Sequence, residues 1–314
     1  MIALSNGETR KTFAGLPAAG LGRFDDGVRV GIIGADHGSP YKPGVPSHAS
    51  GGPAALRRGS ELFSKQLTQV DFDLGGALLS GHDDRRIVDC GDLDLDLVDG
   101  PANRARITAA VRELLDAGIV PVVLGGDDSI PIPVFAAYEG RGPITMIQVD
   151  AHVDWGDDIM GNRFGYGSPM RRAAEMPWIT RMVQVGIRGL GSGTADQHAD
   201  ARAWGSHIVT MRDIRRDGLD AALSAVPEGG DCFVTIDFDG LDPSVVPAVN
   251  MPTPGGLSYQ DVLELLQGVA RKSRIVGATL VEFVPSRDDT NGLAAVTASR
   301  IALSTIGLVA SGNR

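Results

Sequence analysis

Three potential metal ligands stand at alternate positions in Asp150-Ala151-His152-Val153-Asp154, directly after the apolar run Ile144 to Val149. In extended chain, side chains at i and i+2 share a side, and once sheet pairing stops the backbone is free to curl around an ion. A second acidic ladder, Asp237-Phe238-Asp239-Gly240-Leu241-Asp242-Pro243, follows another apolar run, Phe233 to Ile236. Asp150, His152, Asp154, Asp237 and Asp239 together offer an oxygen-rich donor set with one imidazole. Such a set suits Mn²⁺ or Mg²⁺, and the histidine tilts it toward a transition metal. Two cations sharing a carboxylate would lower the pKa of a bridging water and hold it against an electrophilic carbon, as in a dinuclear hydrolytic centre. Either stretch alone also reads as solvated loop acids, helix caps or calcium ligands. Two of them ending two buried strands need a common explanation.

Those strands belong to a longer series. The spacing predicts strands at Val28 to Gly34, Ile87 to Cys90, Ile119 to Leu124, Ile144 to Val149, Met182 to Ile187, His207 to Thr210, Cys232 to Ile236 and Arg274 to Phe283. Between them, helices are predicted over Gly51 to Leu62, Asn103 to Ala117, Ala195 to Trp204, Asp213 to Val226 and Ser258 to Val269, with a closing helix over Leu293 to Val309. Ile119 to Leu124 runs into Gly125-Gly126-Asp127-Asp128-Ser129, the strand and glycine turn of a βα unit. About eight strands alternating with helices predict an α/β fold, a mostly parallel sheet covered on both faces, with its ligand groups at the carboxyl edge. No linker divides the chain, so residues 27–314 read as one domain preceded by an aperiodic arm, residues 1–26.

Composition narrows the function. At 314 residues and 43% hydrophobic the chain can bury a full core, and its 42 glycines cluster after apolar runs where tight loops need them. A formal charge of −10 gives no footprint for nucleic acid or an anionic membrane, and it favours a cationic small substrate. Cys90 and Cys232 lie in apolar runs without CxxC partners and read as buried thiols. Gly31-Ile32-Ile33-Gly34 and Gly125-Gly126-Asp127-Asp128 match neither a dinucleotide nor a phosphate-loop motif. No apolar stretch is expected to cross a membrane and no secretory segment is read at the N-terminus, which makes the cytoplasm the expected location.

The chain resembles the ureohydrolase family of arginases and agmatinases over nearly its whole length. The resemblance rests on Tyr41-Lys42-Pro43-Gly44, Gly125-Gly126-Asp127-Asp128-Ser129, Asp150-Ala151-His152-Val153-Asp154, Val185-Gly186-Ile187-Arg188-Gly189, Asp237-Phe238-Asp239-Gly240-Leu241-Asp242-Pro243 and Glu282. It implies a three-layer α/β/α, arginase-like fold and a homo-oligomer, trimer or hexamer. It also implies two Mn²⁺ ions per chain, or another divalent metal, and hydrolysis of a cationic guanidino compound to urea and an amine. By the same resemblance Asp150, His152, Asp154, Asp237 and Asp239 are metal ligands, Asp150 and Asp237 are candidates for bridging the ions, and Glu282 binds the guanidinium.

Two positions depart from the family pattern. Asp128 stands where the family's Gly-Gly-Asp-His-Ser motif carries a metal-binding histidine; it reads either as a sixth ligand or as a cap of the following helix. Tyr166, in Gly165-Tyr166-Gly167-Ser168-Pro169-Met170, falls on the histidine of His-Gly-Thr-Pro-Phe, which the resemblance makes a proton shuttle. A phenol with an ordinary pKa near ~10 donates a hydrogen bond but shuttles protons poorly at neutral pH, and a structural or stacking role fits it equally well. His37 and His48, in a loop longer than the family's usual connection, would supply the missing imidazole if that loop folds inward, and are otherwise surface histidines. Asn162 and Arg163 are expected near the entrance, and Trp155 and Trp178 as packing residues. Val249-Asn250-Met251-Pro252 departs from the Gly-Thr-Gly-Thr-Pro more often seen in agmatinases.

The expected activity is an agmatinase-like binuclear manganese amidinohydrolase acting on agmatine or a guanidino acid. Its expected catalytic residues are Asp154, Glu282, Tyr166 and His48, and its expected metal ligands Asp128, Asp150, His152, Asp154, Asp237 and Asp239. The alternatives are a metal-dependent hydrolase of a formimino or amide substrate, and a catalytically impaired paralogue that binds a metabolite or a partner subunit.

Overall fold

The computed structural model describes residues 11–312. Its frame is a single eight-stranded sheet: β1 (Val30–Ala35), β2 (Ile87–Asp92), β3 (Val120–Gly125), β4 (Ile144–Val149), β5 (Ile179–Ile187), β6 (His207–Thr210), β7 (Asp231–Asp237) and β8 (Arg274–Val281). The spatial order is β2-β1-β3-β8-β7-β4-β5-β6, and every neighbouring pair is parallel. Parallel strands need crossovers, and the sequence supplies helices α1 (Gly52–Ser60), α2 (Gly100–Asp116), α3 (Pro131–Ala136), α4 (Pro169–Ala174), α5 (Ala195–Trp204), α6 (Met211–Asp217), α7 (Asp220–Leu223), α8 (Tyr259–Lys272) and α9 (Leu293–Ser311).

Alternation along each strand divides the core. Val30 and Ile32 of β1 join Leu56 of α1 and the apolar faces of α6 to α9, whereas Ile33 and Ala35 join Ile107 of α2, Phe135 of α3, Met170 of α4 and Ala201 of α5. Helices on both faces make the three-layer α/β/α arrangement, and they bury β4 along its whole length. The polar ends of the helices are closed locally. At α8, Ser258 Oγ accepts the Asp261 N–H at 3.0 Å while Asp261 Oδ2 accepts the Ser258 N–H at 2.8 Å. Such a capping box contributes about 1 kcal/mol.

Several expected boundaries move. The helix expected over Asp213 to Val226 is two, α6 and α7, because Gly218 takes φ 71° and ends the first. α2 starts at Gly100, before the expected Asn103, since Asp99 caps the Ala102 N–H at 2.9 Å and Pro101 fits the first turn. β8 stops at Val281 because Glu282 turns to φ 66°. Of the expected arm, residues 1–10 lie outside the described residues. The rest of the arm is anchored to the core, for Phe13 is fully buried and its N–H donates to Asp89 Oδ2 at 2.7 Å. α9 is long and apolar enough on average to cross a membrane, though Arg300 and several Ser and Thr interrupt its apolar run; it is mostly buried, packed against α1, α8 and β8. Cys90 and Cys232 are buried and free.

Candidate metal centre

Four adjacent strands, β3, β8, β7 and β4, deliver the chemical side chains to one edge. Asp128 follows β3, Glu282 follows β8, Asp237 ends β7 with Asp239 in the next turn, and Asp150 follows β4. The register Val149↔Ile236 sets Asp150 alongside Asp237, and Asp237 pairs with Val281 just before Glu282. All four strands are parallel, so all these groups gather at the carboxyl edge. Two glycines allow the loops to close in. A Cβ on Gly240 would sit 2.7 Å from the Asp150 nitrogen, and one on Gly126 would sit 2.2 Å from the Asp36 carbonyl oxygen.

The donors fall into two groups, Asp150 with His152 and Asp239, and Asp128 with Asp150 and Asp154. Asp150 is common to both. His152 Nδ1 lies 3.3 Å from Asp150 Oδ1 and 3.2 Å from Asp239 Oδ2. Neighbouring donors on a cation with bonds of about 2.1 Å stand about 3.0 Å apart, so this spacing matches a cation's coordination shell. Asp237 belongs to neither group; it is buried in the same cleft, where its Oδ1 accepts the Asp239 N–H at 2.7 Å.

The electrostatics of the protein alone are unbalanced. Burial, reinforced by neighbouring carboxylates, pushes Asp128, Asp154 and Asp237 well above the usual carboxylate range. Asp239 is raised by burial and then by the Asp150 charge. Burial disfavours the His152 imidazolium, but its bonds to Asp150 and Asp239 outweigh this and push it up to about 11. Asp128 Oδ2 and His152 Nε2 are buried and lack a hydrogen-bond partner among the described residues. A buried array of acids with unspent donor atoms fits divalent cations.

The cradle is braced from the sheet interior. Gln148 Nε2 donates to Asp150 Oδ2 at 2.7 Å and reaches Asp154 Oδ2 at 3.3 Å. Gln148 Oε1 accepts from Gln184 Nε2 at 2.6 Å, and Gln184 Oε1 accepts from Ser206 Oγ at 2.7 Å. Pairing of β4 with β5 sets Gln148 opposite Gln184. The sequence reading gave neither glutamine a role; the available signal was a long amide inside each of two otherwise apolar runs. Asp154 itself sits at φ 44°, an uncommon backbone state that aims its carboxylate into the cleft.

The facing wall comes from the long loop after β1. Glu282 Oε1 accepts the Asp128 N–H at 2.9 Å, and Glu282 Oε2 lies 2.5 Å from His48 Nε2. The loop therefore folds inward at His48, whereas His37 sits beside Asp36 at 3.4 Å. Burial raises Glu282, with His48 opposing; burial lowers His48, but Glu282 more than compensates and its net shift is upward. Tyr166 stacks edge-on between His48 and Tyr41, with ring centroids 5.1 and 4.6 Å away. Burial raises the Tyr166 phenol, which keeps it protonated.

Asn162 Nδ2 ties this wall together by donating to the carbonyls of Ser39 and Pro40, while Arg163 pairs with Asp157 and Glu175. Trp155 packs against Trp204 and lines the cleft; Trp178 donates to the Phe135 carbonyl away from it. The cleft encloses about 190 Å³ between His152, Asp154, Tyr166, Asp239, Met251 and Glu282. A larger hollow of about 1010 Å³ beside Leu74, Gln267 and Leu308 gathers none of the ligating groups.

A parallel α/β/α sheet that ends in an acidic, histidine-bearing cradle defines a metal-dependent hydrolase in general terms. Residues 28–307 match the arginase family, and the chain belongs to that family. It is 32% identical over 298 residues to the guanidinopropionase of Pseudomonas aeruginosa, covering 91% of this chain and 90% of that one. The proclavaminate amidino hydrolase of Streptomyces clavuligerus superposes with a TM-score of 0.78 at 28% identity, covering 96% of this chain and 98% of that one. The formimidoylglutamase of Bacillus subtilis superposes at 0.80 and 26% identity, over 98% and 94% of the two chains.

Proposed function

We propose that the chain is a binuclear, metal-dependent amidinohydrolase that cleaves a C–N bond of a guanidino compound to give urea and an amine. The observation that carries this reading is that two donor groups meet at Asp150, so the residues present would fit a pair of divalent cations. Asp128, Asp150, His152, Asp154, Asp237 and Asp239 are the proposed ligands, with Mn²⁺ the expected metal. When bound, the cations would supply an activated water nucleophile and polarise the amidine.

The remaining roles fall to this chain's own side chains. Glu282, anchored by the Asp128 N–H, orients the amidinium by charge-assisted hydrogen bonds. His48, whose imidazolium Glu282 favours, gives a proton to the departing amine nitrogen as the tetrahedral adduct collapses and the C–N bond breaks. Tyr166 keeps its proton and orients His48 by edge-on contact. Asp154, beside the shared carboxylate, orients the attacking water. A homo-oligomer in the cytoplasm completes the proposal; exposed Val70 and Phe72 offer apolar surface for assembly.

A second reading has its own support. Both Glu282 oxygens are already engaged, by the Asp128 N–H and by His48, which leaves less of the carboxylate for a guanidinium and favours a smaller formimidoyl group. The test is metal content of protein prepared with Mn²⁺, coupled to product analysis over agmatine, guanidinobutyrate, guanidinopropionate and formimidoyl amino acids. About two metals per chain with urea release is the expected result. Formamide release would select the second reading. Stoichiometric metal without turnover of any compound would refute both and leave a binding or partner role.

A further inference from the structure

Arg287 ends the short turn Pro285–Arg287, which follows Glu282 in the chain. Its Nη1 donates to the carbonyls of Val249 and Asn250 at 2.8 and 2.7 Å. Asn250 and Met251 line the cleft with Glu282, so the guanidinium is fastened to the backbone of the wall itself. The segment it fastens is the one that departs from the agmatinase pattern.

The charge on Arg287 is unspent. Its side chain is exposed, and among the described residues it makes no ion pair and its Nε and Nη2 donors make no hydrogen bond. The acids that follow it face elsewhere: Asp288 accepts the Ala294 and Ala295 N–H groups and Asp289 accepts the Leu293 N–H, all at the start of α9. Its field reaches His48, whose protonation it opposes. Other arginines around the site are committed. Arg188 donates to the carbonyls of Gly186, Asp239, Gly240, Leu241 and Thr253. Arg172 pairs with Asp157, and Arg104 lies over the Phe164 ring.

We infer that Arg287 is a specificity residue that receives the carboxylate tail of an amidino or guanidino acid, so that the substrate is zwitterionic, with its amidine held deep in the cleft and its carboxylate at the rim. This rests on the amidinohydrolase reading above and deepens it. A backbone-anchored guanidinium presents a planar pair of N–H donors that matches a carboxylate and repels an ammonium tail. An amine-tailed compound such as agmatine meets like charge at that position.

The pair 4-guanidinobutyrate and agmatine tests this, because the reacting group is the same and the tail charge is opposite. In the Mn²⁺-loaded enzyme the acid is expected to have the higher kcat/KM. Arg287→Ala should reduce the acid-to-amine ratio of kcat/KM at least tenfold, mainly through KM for the acid. Arg287→Glu should invert the ratio, and Arg287→Lys should restore part of it. A merely structural role in holding Val249 and Asn250 would weaken both substrates together and leave the ratio unmoved, which would overturn the inference, as would an unmutated enzyme that prefers agmatine. Calorimetric binding of the same two compounds separates the failures. Arg287-dependent binding of the acid without hydrolysis would keep the tail assignment and defeat the activity, whereas equal or absent binding of both compounds would defeat the tail assignment.

Discussion

The proposed metal centre makes its sharpest prediction at Gln148, which touches no reacting group. Gln148→Met keeps the length and apolar packing of the side chain but removes the N–H donors to Asp150 and Asp154. The contact to Asp150, at 2.7 Å, has the length of a strong charge-assisted bond, whereas that to Asp154, at 3.3 Å, is too long to count fully. One such bond to a charged group is worth about 1.5–3 kcal/mol, and partners behind metal ligands typically contribute 10–100-fold in affinity, roughly. We therefore expect a loss of about 2 kcal/mol, near 30-fold in Kd, since a tenfold change is about 1.4 kcal/mol. The sign is fixed by charge: the amide N–H groups hold the negative Asp150 carboxylate in the orientation that faces the cation, so their removal weakens the site. The assay is calorimetric titration of Mn²⁺ into chelator-stripped protein at constant pH. The site that draws on Asp128, Asp150 and Asp154 should weaken most. Gln184→Met should act in the same direction and more weakly, because Gln184 reaches the carboxylates only through Gln148. A Gln148→Met protein that binds both metals within about threefold of the unmutated Kd would lie below the range for such partners and refute the bracing argument.

Other outcomes follow from the same structure. Chelation should lower the Tm and Mn²⁺ should restore it, because the buried carboxylates otherwise repel one another; a Tm indifferent to metal would count against a centre built from these residues. Gly240→Ala would set a methyl 2.7 Å from the Asp150 nitrogen, a backbone atom that cannot swing aside, and should cost about 1–3 kcal/mol in denaturant unfolding together with metal affinity. Asp242 is held down to about 2 by the Ser244 hydroxyl and by the N–H groups of Ser244, Gly255 and Gly256. Its stabilisation is therefore present above the ordinary aspartate pKa near ~3.9 and is lost as pH falls through about 2, so Asp242→Asn should destabilise at neutral pH and converge with the parent in acid. Equal destabilisation at both ends of that titration would remove the charge from the explanation.

How far the sequence could be read depended on the range of the interactions. Asp150, His152 and Asp154 were legible because strand periodicity and the end of an apolar run are local, and the alternation of strands with helices fixed the layered sheet in the same way. Gln148 and Gln184 were not, since their role exists only once β4 and β5 pair in one register. The inward turn of His48 could be named only as a condition, because its partner Glu282 lies 234 residues further along the chain. Gly218 sat inside a helical pattern, where a single glycine is often tolerated; only its left-handed backbone shows the break. In α9 the apolar residues run all round the helix rather than along a stripe, a pattern that core burial and a membrane span share until the packing is known.

The two departures that separate this chain from the family pattern are joined through one residue. Asp128 puts a carboxylate where an imidazole is expected, which adds negative charge to an already acidic cradle. His48 brings an imidazole against Glu282 from a different loop, and Glu282 links the two, accepting the Asp128 N–H with one oxygen and facing His48 Nε2 with the other. A single exchange of His for Asp would raise the cost of burying the cluster. In the proposed site the inward His48 imidazole faces that added negative charge across Glu282. Tyr166 packs edge-on against His48, and burial keeps its phenol protonated. On the proposed reading, the chemistry that the resemblance places on two histidines falls here to Asp128, His48 and Tyr166, which Glu282 links.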